Sequence, residues 1–161
     1  MALEIERKFL VVGDYKSKAT SHSHIVQGYI ASGNGRTVRV RIRDDKGYIT
    51  IKGSADASGL ARYEFEKEIS LQDATDLMKI CLPGVIEKYR WLVPDGIHTI
   101  EVDEFLGDNE GLVVAEIELH YETEPYVRPD FLGMEVTGDK KYYNSHLMRQ
   151  PYRAWKELGL L

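Results

Sequence analysis

The sequence predicts a mainly β, α+β fold: an eight-stranded antiparallel closed β-barrel with a few flanking helices. Three observations lead there. Apolar and charged residues alternate with period two in a series of short runs. Gly- and Asx-rich turns join neighbouring runs, as in hairpins. Helix start signals are scarce, so many short strands must dispose of their edges among themselves, and closure does that.

The elements follow in order. Leu3 to Leu10 alternates until Phe9-Leu10-Val11-Val12 closes the first run. Gly13 to Lys18 has room for one helical turn. Ile25 to Ala31 reads as the second strand, ended by Gly33-Asn34-Gly35. Thr37 to Arg43 is the third, and Asp44-Asp45-Lys46-Gly47 turns into the fourth, Tyr48 to Lys52. Arg62 to Ser70 is the fifth. Ser70 then caps a helix, with Asp73 three residues on, that runs to about Cys81 and stops at Pro83-Gly84. Val85 to Val93 and Ile97 to Phe105 form a hairpin across Pro94-Asp95-Gly96, and Leu112 to Tyr121 is the eighth strand. Lys140 to Leu158 reads as two short helices broken at Pro151. No linker, repeat or low-complexity tract divides residues 1–161, so one domain is expected.

At 161 residues and 43% hydrophobic, the chain can bury a substantial core. A net charge of −5 argues against a general nucleic-acid or acidic-membrane binder, yet leaves room for a local basic pocket. Met1-Ala2-Leu3-Glu4 leads straight into charge and does not read as a signal peptide. No apolar run nears the roughly 18 residues of a membrane helix, so a cytoplasmic protein is expected. Cys81, the single cysteine, lies in an apolar stretch and reads as a buried structural thiol. His22 and His24 share a strand face but lack a third ligand at a clear spacing, so they read as surface residues.

Residues i and i+2 of a strand point the same way. Glu4, Glu6 and Lys8 therefore oppose Leu3, Ile5 and Phe9. Arg39, Arg41 and Arg43 oppose Val38, Val40 and Ile42, and Lys52 faces away from Ile49 and Ile51. Glu64, Glu66 and Glu68 oppose Tyr63, Phe65 and Ile69. Lys88 and Arg90, Glu101 and Asp103, and Glu116 and Glu118 each share a face. A single such strand is ordinarily half-solvated. The set differs, because its polar faces are nearly pure charge and the signs group strand by strand. Clustered like charge is destabilising unless opposite charge occupies the space between. A barrel lumen supplies that space, with the apolar faces packed outward under the helices. Arg and Lys suit phosphate oxygens, and carboxylates suit Mg²⁺ or Mn²⁺. A polyphosphate with a divalent cation satisfies both.

At these residues the chain resembles the CYTH family, the triphosphate tunnel metalloenzymes. Glu4-Ile5-Glu6-Arg7-Lys8 matches the family's ExExK signature. Gln27-Gly28-Tyr29, Arg39-x-Arg41, Lys52-Gly53, Glu64-Phe65-Glu66, Lys88-x-Arg90, Glu101-x-Asp103, Glu116-x-Glu118 and Val136-Thr137-Gly138-Asp139 follow in the family's order. They span nearly the whole chain and look most like the small bacterial members. The resemblance implies a tunnel open at both ends. It implies that Glu4, Glu6, Glu116 and Glu118 hold the catalytic metal, with Glu64 and Glu66 serving a second ion. Arg39, Arg41, Lys52, Lys88 and Arg90 would grip phosphates, with Glu101 and Asp103 in support. Lys8, poised by Tyr29, would help activate the attacking water, and Lys140 or Lys141 would add a phosphate contact.

The resemblance thus points to metal-dependent hydrolysis of inorganic triphosphate. Class IV-type adenylate cyclase, thiamine triphosphatase and a non-catalytic polyphosphate-binding module are the alternatives. The expected partner is inorganic triphosphate or another small triphosphate-bearing molecule, with neither nucleic acid nor membrane, in a monomer or homodimer. Lys8 can act as a base only if its pKa falls well below the roughly 10.4 of a free lysine, which predicts an alkaline activity optimum.

Overall fold

The computed structural model describes residues 3–161; Met1 and Ala2, the start of the N-terminal stretch read above, lie outside the described residues. The strands are β1 (Leu3–Val11), β2 (Ser21–Gly33), β3 (Arg36–Arg43), β4 (Lys46–Lys52), β5 (Ala61–Ile69), β6 (Ile86–Asp95), β7 (His98–Phe105), β8 (Val113–Glu118) and β9 (Leu132–Glu135). The first eight close in the order β1-β5-β4-β3-β2-β6-β7-β8 and back to β1, with antiparallel pairing throughout. The expected barrel is present.

β9 is an addition the sequence did not signal. Four residues with Gly133 among them are too few to display an alternation. β1 pairs with β5 only from Leu3↔Tyr63 to Ile5↔Ala61, and further along the same edge it pairs with β9 through Phe9 and Val11. The interval between these partners is a seam, and there the chain after β9 meets the lumen. Gly59 and Gly138 make that meeting possible. Both have positive φ (75° and 78°), and a Cβ on Gly59 would collide with the Gly138 backbone.

Some boundaries differ from expectation for physical reasons. β2 starts at Ser21 rather than Ile25, because Ser21–His24 pair with β6 from Leu92 to Tyr89 although they carry no alternation. β8 stops at Glu118, short of Tyr121; the chain then turns so that the Glu124 carboxylate accepts from the His120 N–H at 2.8 Å. Ser70 Oγ caps helix α1 (Leu71–Met78), accepting from the Asp73 N–H at 3.0 Å. The helix ends before Cys81 because Lys79, Ile80 and Cys81 bond three residues back, in tightened turns. A 3-10 turn occupies Lys16–Lys18. In the C-terminal segment, α2 (Asn144–Leu147) and α3 (Trp155–Leu158) each follow a 3-10 turn, and Pro151 lies between them.

The apolar strand faces point outward and pack under two covers. Ile5, Phe9, Ile100, Val102, Ala115 and Ile117 lie beneath Tyr15, Leu119, Phe131 and Leu132, which come from connecting segments and the start of β9 rather than the expected helices. Ile86, Phe105 and Val114 lie beneath Tyr142, Leu147 and Trp155 of the C-terminal segment. Each fully buried side chain of this size contributes roughly 1.5–3 kcal/mol. Helices do not cover the whole outer face, since Leu3, Ile51, Tyr63 and Phe65 remain exposed. Cys81 is half-buried and donates to the Leu77 carbonyl; His22 stacks on Trp91, and His24 pairs with Glu87.

Candidate active site

The inward faces meet in one cavity. Glu4, Glu6 and Lys8 reach it from β1, Tyr29 from β2, Arg39 from β3, Lys52 from β4 and Glu116 from β8. The β1–β8 register sets Lys8 opposite Glu116 and Glu6 opposite Glu118. The returning chain completes the wall with Thr137, Gly138, Tyr143, Asn144 and Ser145. It is pinned to β1 where the Val136 N–H donates to the Lys8 carbonyl (2.8 Å) and the Lys8 N–H to Thr137 Oγ1 (3.0 Å).

Carboxylates crowd one wall. Burial, reinforced by Glu116 and Glu4, pushes the Glu6 carboxyl well above its usual range. Burial also works upward on Glu116, but Lys8 and a hydrogen bond from Glu6 outweigh it and hold that group well below its range. Glu4 is lowered in spite of burial, through Lys52, whose Nζ lies 2.8 Å away. Burial and then Glu4 push Glu64 up to about 7. Glu118, exposed at the rim, is raised by partial desolvation and then by Glu4 and Glu101. Lys8 Nζ sits 3.5 Å from Glu116 Oε1 and 4.9 Å from the centre of the Tyr143 ring. Burial acts to lower its pKa, yet Glu116, Glu6 and Tyr143 together raise it, so Lys8 is an ammonium.

The opposite wall carries positive charge without a partner. Arg39 is buried and donates from Nη2 to Thr50 Oγ1 at 3.0 Å, while its Nε has no hydrogen-bond partner. Among the described residues it enters no ion pair.

Other expected residues lie in a second, internally bonded layer. Lys88 Nζ donates to Asp103 Oδ2 at 2.7 Å and to Asn144 Oδ1 at 3.0 Å. Arg90 grips Asp103 through Nε and Nη2 and reaches Glu101 through Nη1. Arg41 gives Nε and Nη2 to Gln27 Oε1, and Gln27 donates to Asn144. Burial, with repulsion from Arg39 and Arg90, lowers Arg41 to about 9. Asn144, at the start of α2, therefore ties the C-terminal segment into the lumen, and this layer fills part of the passage expected to run open from end to end. Glu66 is exposed on β5, away from the cavity lining.

Arg62, Thr50, Tyr143 and Asn144 line the site and were not singled out from the sequence, whereas Thr137 belongs to the matched Val136-Thr137-Gly138-Asp139 motif. Arg62 was within reach, because parity puts it on the Glu64 face. Tyr143 and Asn144 carry no local signal, since a long return path brings them to the lumen.

Among the described residues, no three His, Cys, Asp or Glu side chains are already gathered into an ion cage. The donor set still fits a hard cation. Three carboxylates from β1 and β8 crowd until Glu6 resists ionisation, and Mg²⁺ commonly takes one or two carboxylates plus substrate oxygens rather than a full protein cage.

Fold and lumen define a class: a closed antiparallel barrel that turns carboxylates and guanidinium groups toward one another in its interior. The chain belongs to the CYTH domain family, whose model matches residues 2–146. It is 48% identical over 159 residues to an inorganic triphosphatase of Acetivibrio thermocellus, covering 98% of this chain and 100% of the relative. An inorganic triphosphatase of Nitrosomonas europaea is 31% identical over 149 residues, 89% of this chain and 95% of that one. The crystal structure of the inorganic triphosphatase NE1496 superposes with a TM-score of 0.66 at 27% identity, covering 92% and 95% of the two chains.

Proposed function

We propose that the protein hydrolyses inorganic triphosphate in the barrel cavity with a divalent cation, Mg²⁺ or Mn²⁺. One observation carries the reading: the cavity pairs an unpartnered buried cation, Arg39, with carboxylates that lack enough positive charge. Only a ligand bringing both an anion and a cation balances both walls. The two relatives named inorganic triphosphatase support the same substrate.

Glu4, Glu6 and Glu116 would hold the cation, with Glu64 and Glu118 near the rim; when bound, it would supply polarisation of the phosphate and neutralisation of charge on the leaving group. Arg39 and Lys52 bind phosphate oxygens, Arg39 through the N–H that is unpartnered in the structure. The ammonium of Lys8 donates to the reacting phosphoryl group rather than serving as a base, because its neighbours raise its pKa. Tyr29 packs the adjacent wall, buried from solvent. Arg41, Lys88, Arg90, Asp103 and Glu101 act from behind, as an internally bonded layer that supports the phosphate-facing wall. The setting we infer is cytoplasmic and the partner a small molecule; no helix among the described residues is long and apolar enough to cross a membrane.

The test is to incubate the purified protein with Mg²⁺ or Mn²⁺ and tripolyphosphate, ATP or thiamine triphosphate separately, measuring phosphate, pyrophosphate and cyclic AMP. Phosphate release fastest from tripolyphosphate is expected. Preferential formation of pyrophosphate and cyclic AMP from ATP overturns the proposal.

A further inference from the structure

The cavity opens into a second, larger chamber. Arg62, Tyr143, Thr37 and the touching backbones of Gly59 and Gly138 line both, and so form a neck between them. The Arg62 guanidinium lies 5.3 Å from the centre of the Tyr143 ring, whose other neighbour is Lys8. The inner cavity leaves about 40 Å³ for solvent and the outer chamber about 850 Å³. One water needs roughly 10–15 Å³ of such space, so the inner side is the narrow part of the passage.

Beyond the neck the wall carries Arg36, Lys140, His146 and Arg149. Asp56 is the one acidic side chain among the described residues lining it, and Ser58 already occupies it through both its N–H and its hydroxyl. Arg36 and Lys140 enter no ion pair among the described residues. Lys141 is differently placed: its Nζ bonds Asp139 at 3.0 Å and lies against Tyr142. The chain as a whole carries −5, a field that repels a phosphate anion. A concave cationic wall in a low-dielectric surround focuses the opposite field at one mouth.

We propose that this chamber is the entrance of the active site, drawing a linear phosphate anion from solvent and threading it past Arg62 and Tyr143. The inference rests on the triphosphatase reading for its ligand and adds the route and the residues that steer. Serines, glycines and an asparagine make up much of the remaining wall, with Tyr143 the one phenol, so the chamber favours a charged chain over a stacking nucleobase.

The test uses the full chain and tripolyphosphate, with Arg36→Gln and Arg36→Glu. Arg36 is exposed at the first position of β3, where a new side chain has room. Arg36→Glu should lower both the stopped-flow association rate and kcat/KM about tenfold at low ionic strength, and Arg36→Gln less, with kcat unchanged. Added salt, which shortens the Debye length, should depress kcat/KM in the wild type more steeply than in Arg36→Glu. An Arg36→Glu protein with wild-type association and salt dependence overturns the entrance, as does a kcat that falls in step with kcat/KM. A wild type that binds tripolyphosphate at an Arg36-dependent rate but never cleaves it overturns the triphosphatase reading and leaves the entrance standing. Absence of binding removes both.

Discussion

Lys88 and Asp103 meet inside the barrel at 2.7 Å, and Arg90 holds the other side of the same carboxylate. Neither Lys88 nor Asp103 reaches solvent appreciably. Truncating one member of a buried pair strands the other, which costs about 3–5 kcal/mol. Asp103→Ala strands Lys88 and leaves Arg90 with Glu101 alone, and is expected to destabilise by about that amount in denaturant titration. A loss under about 1 kcal/mol would show that the layer is not held by this carboxylate.

Arg39 sits at the opposite extreme, buried without a counter-charge. Removing it relieves an unpaired charge while deleting the proposed phosphate contact. Arg39→Met should melt at or above the wild-type temperature and lose about 10²–10³ in kcat/KM for tripolyphosphate. Melting clearly below wild type together with full turnover would sink both halves of the argument.

The carboxylate wall makes metal affinity depend on pH. Glu6 is raised well above its range and Glu64 stands at about 7, against about 4.3 in an unfolded chain. The folded form therefore binds more protons than the unfolded one in that window, and the contribution of these two groups to metal-free stability falls as pH rises through it. A divalent cation needs them ionised, so binding should tighten and release protons as pH rises through about 7, where Glu64 gives up its proton. Calorimetric Mn²⁺ titrations in buffers of different ionisation enthalpy test this; a pH-independent affinity refutes it.

Lys8→Met should reduce kcat about 10²–10³ while preserving the fold. A protonated Lys8 gives no rising limb of its own below the free-lysine range, so any alkaline preference should follow the carboxylates. It should vanish when Glu6 is replaced by Gln. An unchanged pH–rate profile in that variant would return Lys8 to the role of base.

Gly59→Ala probes the seam. Its positive φ and its contact with Gly138 both penalise a methyl group, so a loss of about 1–3 kcal/mol is expected. Activity should fall further than stability alone accounts for, because the two glycines line the cavity neck. Unaltered turnover and melting would mean that the seam tolerates displacement.

Much of the lumen could be read from parity alone. Glu4, Glu6 and Lys8 on β1, Arg39 on β3 and Glu116 on β8 fall on inward faces because strand side chains alternate whatever the neighbours are. Alternation cannot tell which inward charges answer one another. Arg39 and Arg90 look equivalent in sequence, yet register sets Arg90 against Asp103 and Arg39 against the uncharged Thr50 and Tyr29.

The sequence by itself determined the strand count of the barrel, its inward charge and its membership of a family, because these depend on residue type and local period. Tertiary structure alone decided three further matters: β9 on the β1 edge, the entry of Tyr143 and Asn144 into the lumen, and the split between balanced and unbalanced cations. Each depends on contacts between segments far apart in the chain. Pairing energy at such range is set by where closure of the barrel puts the partners, and no window of neighbouring residues records it.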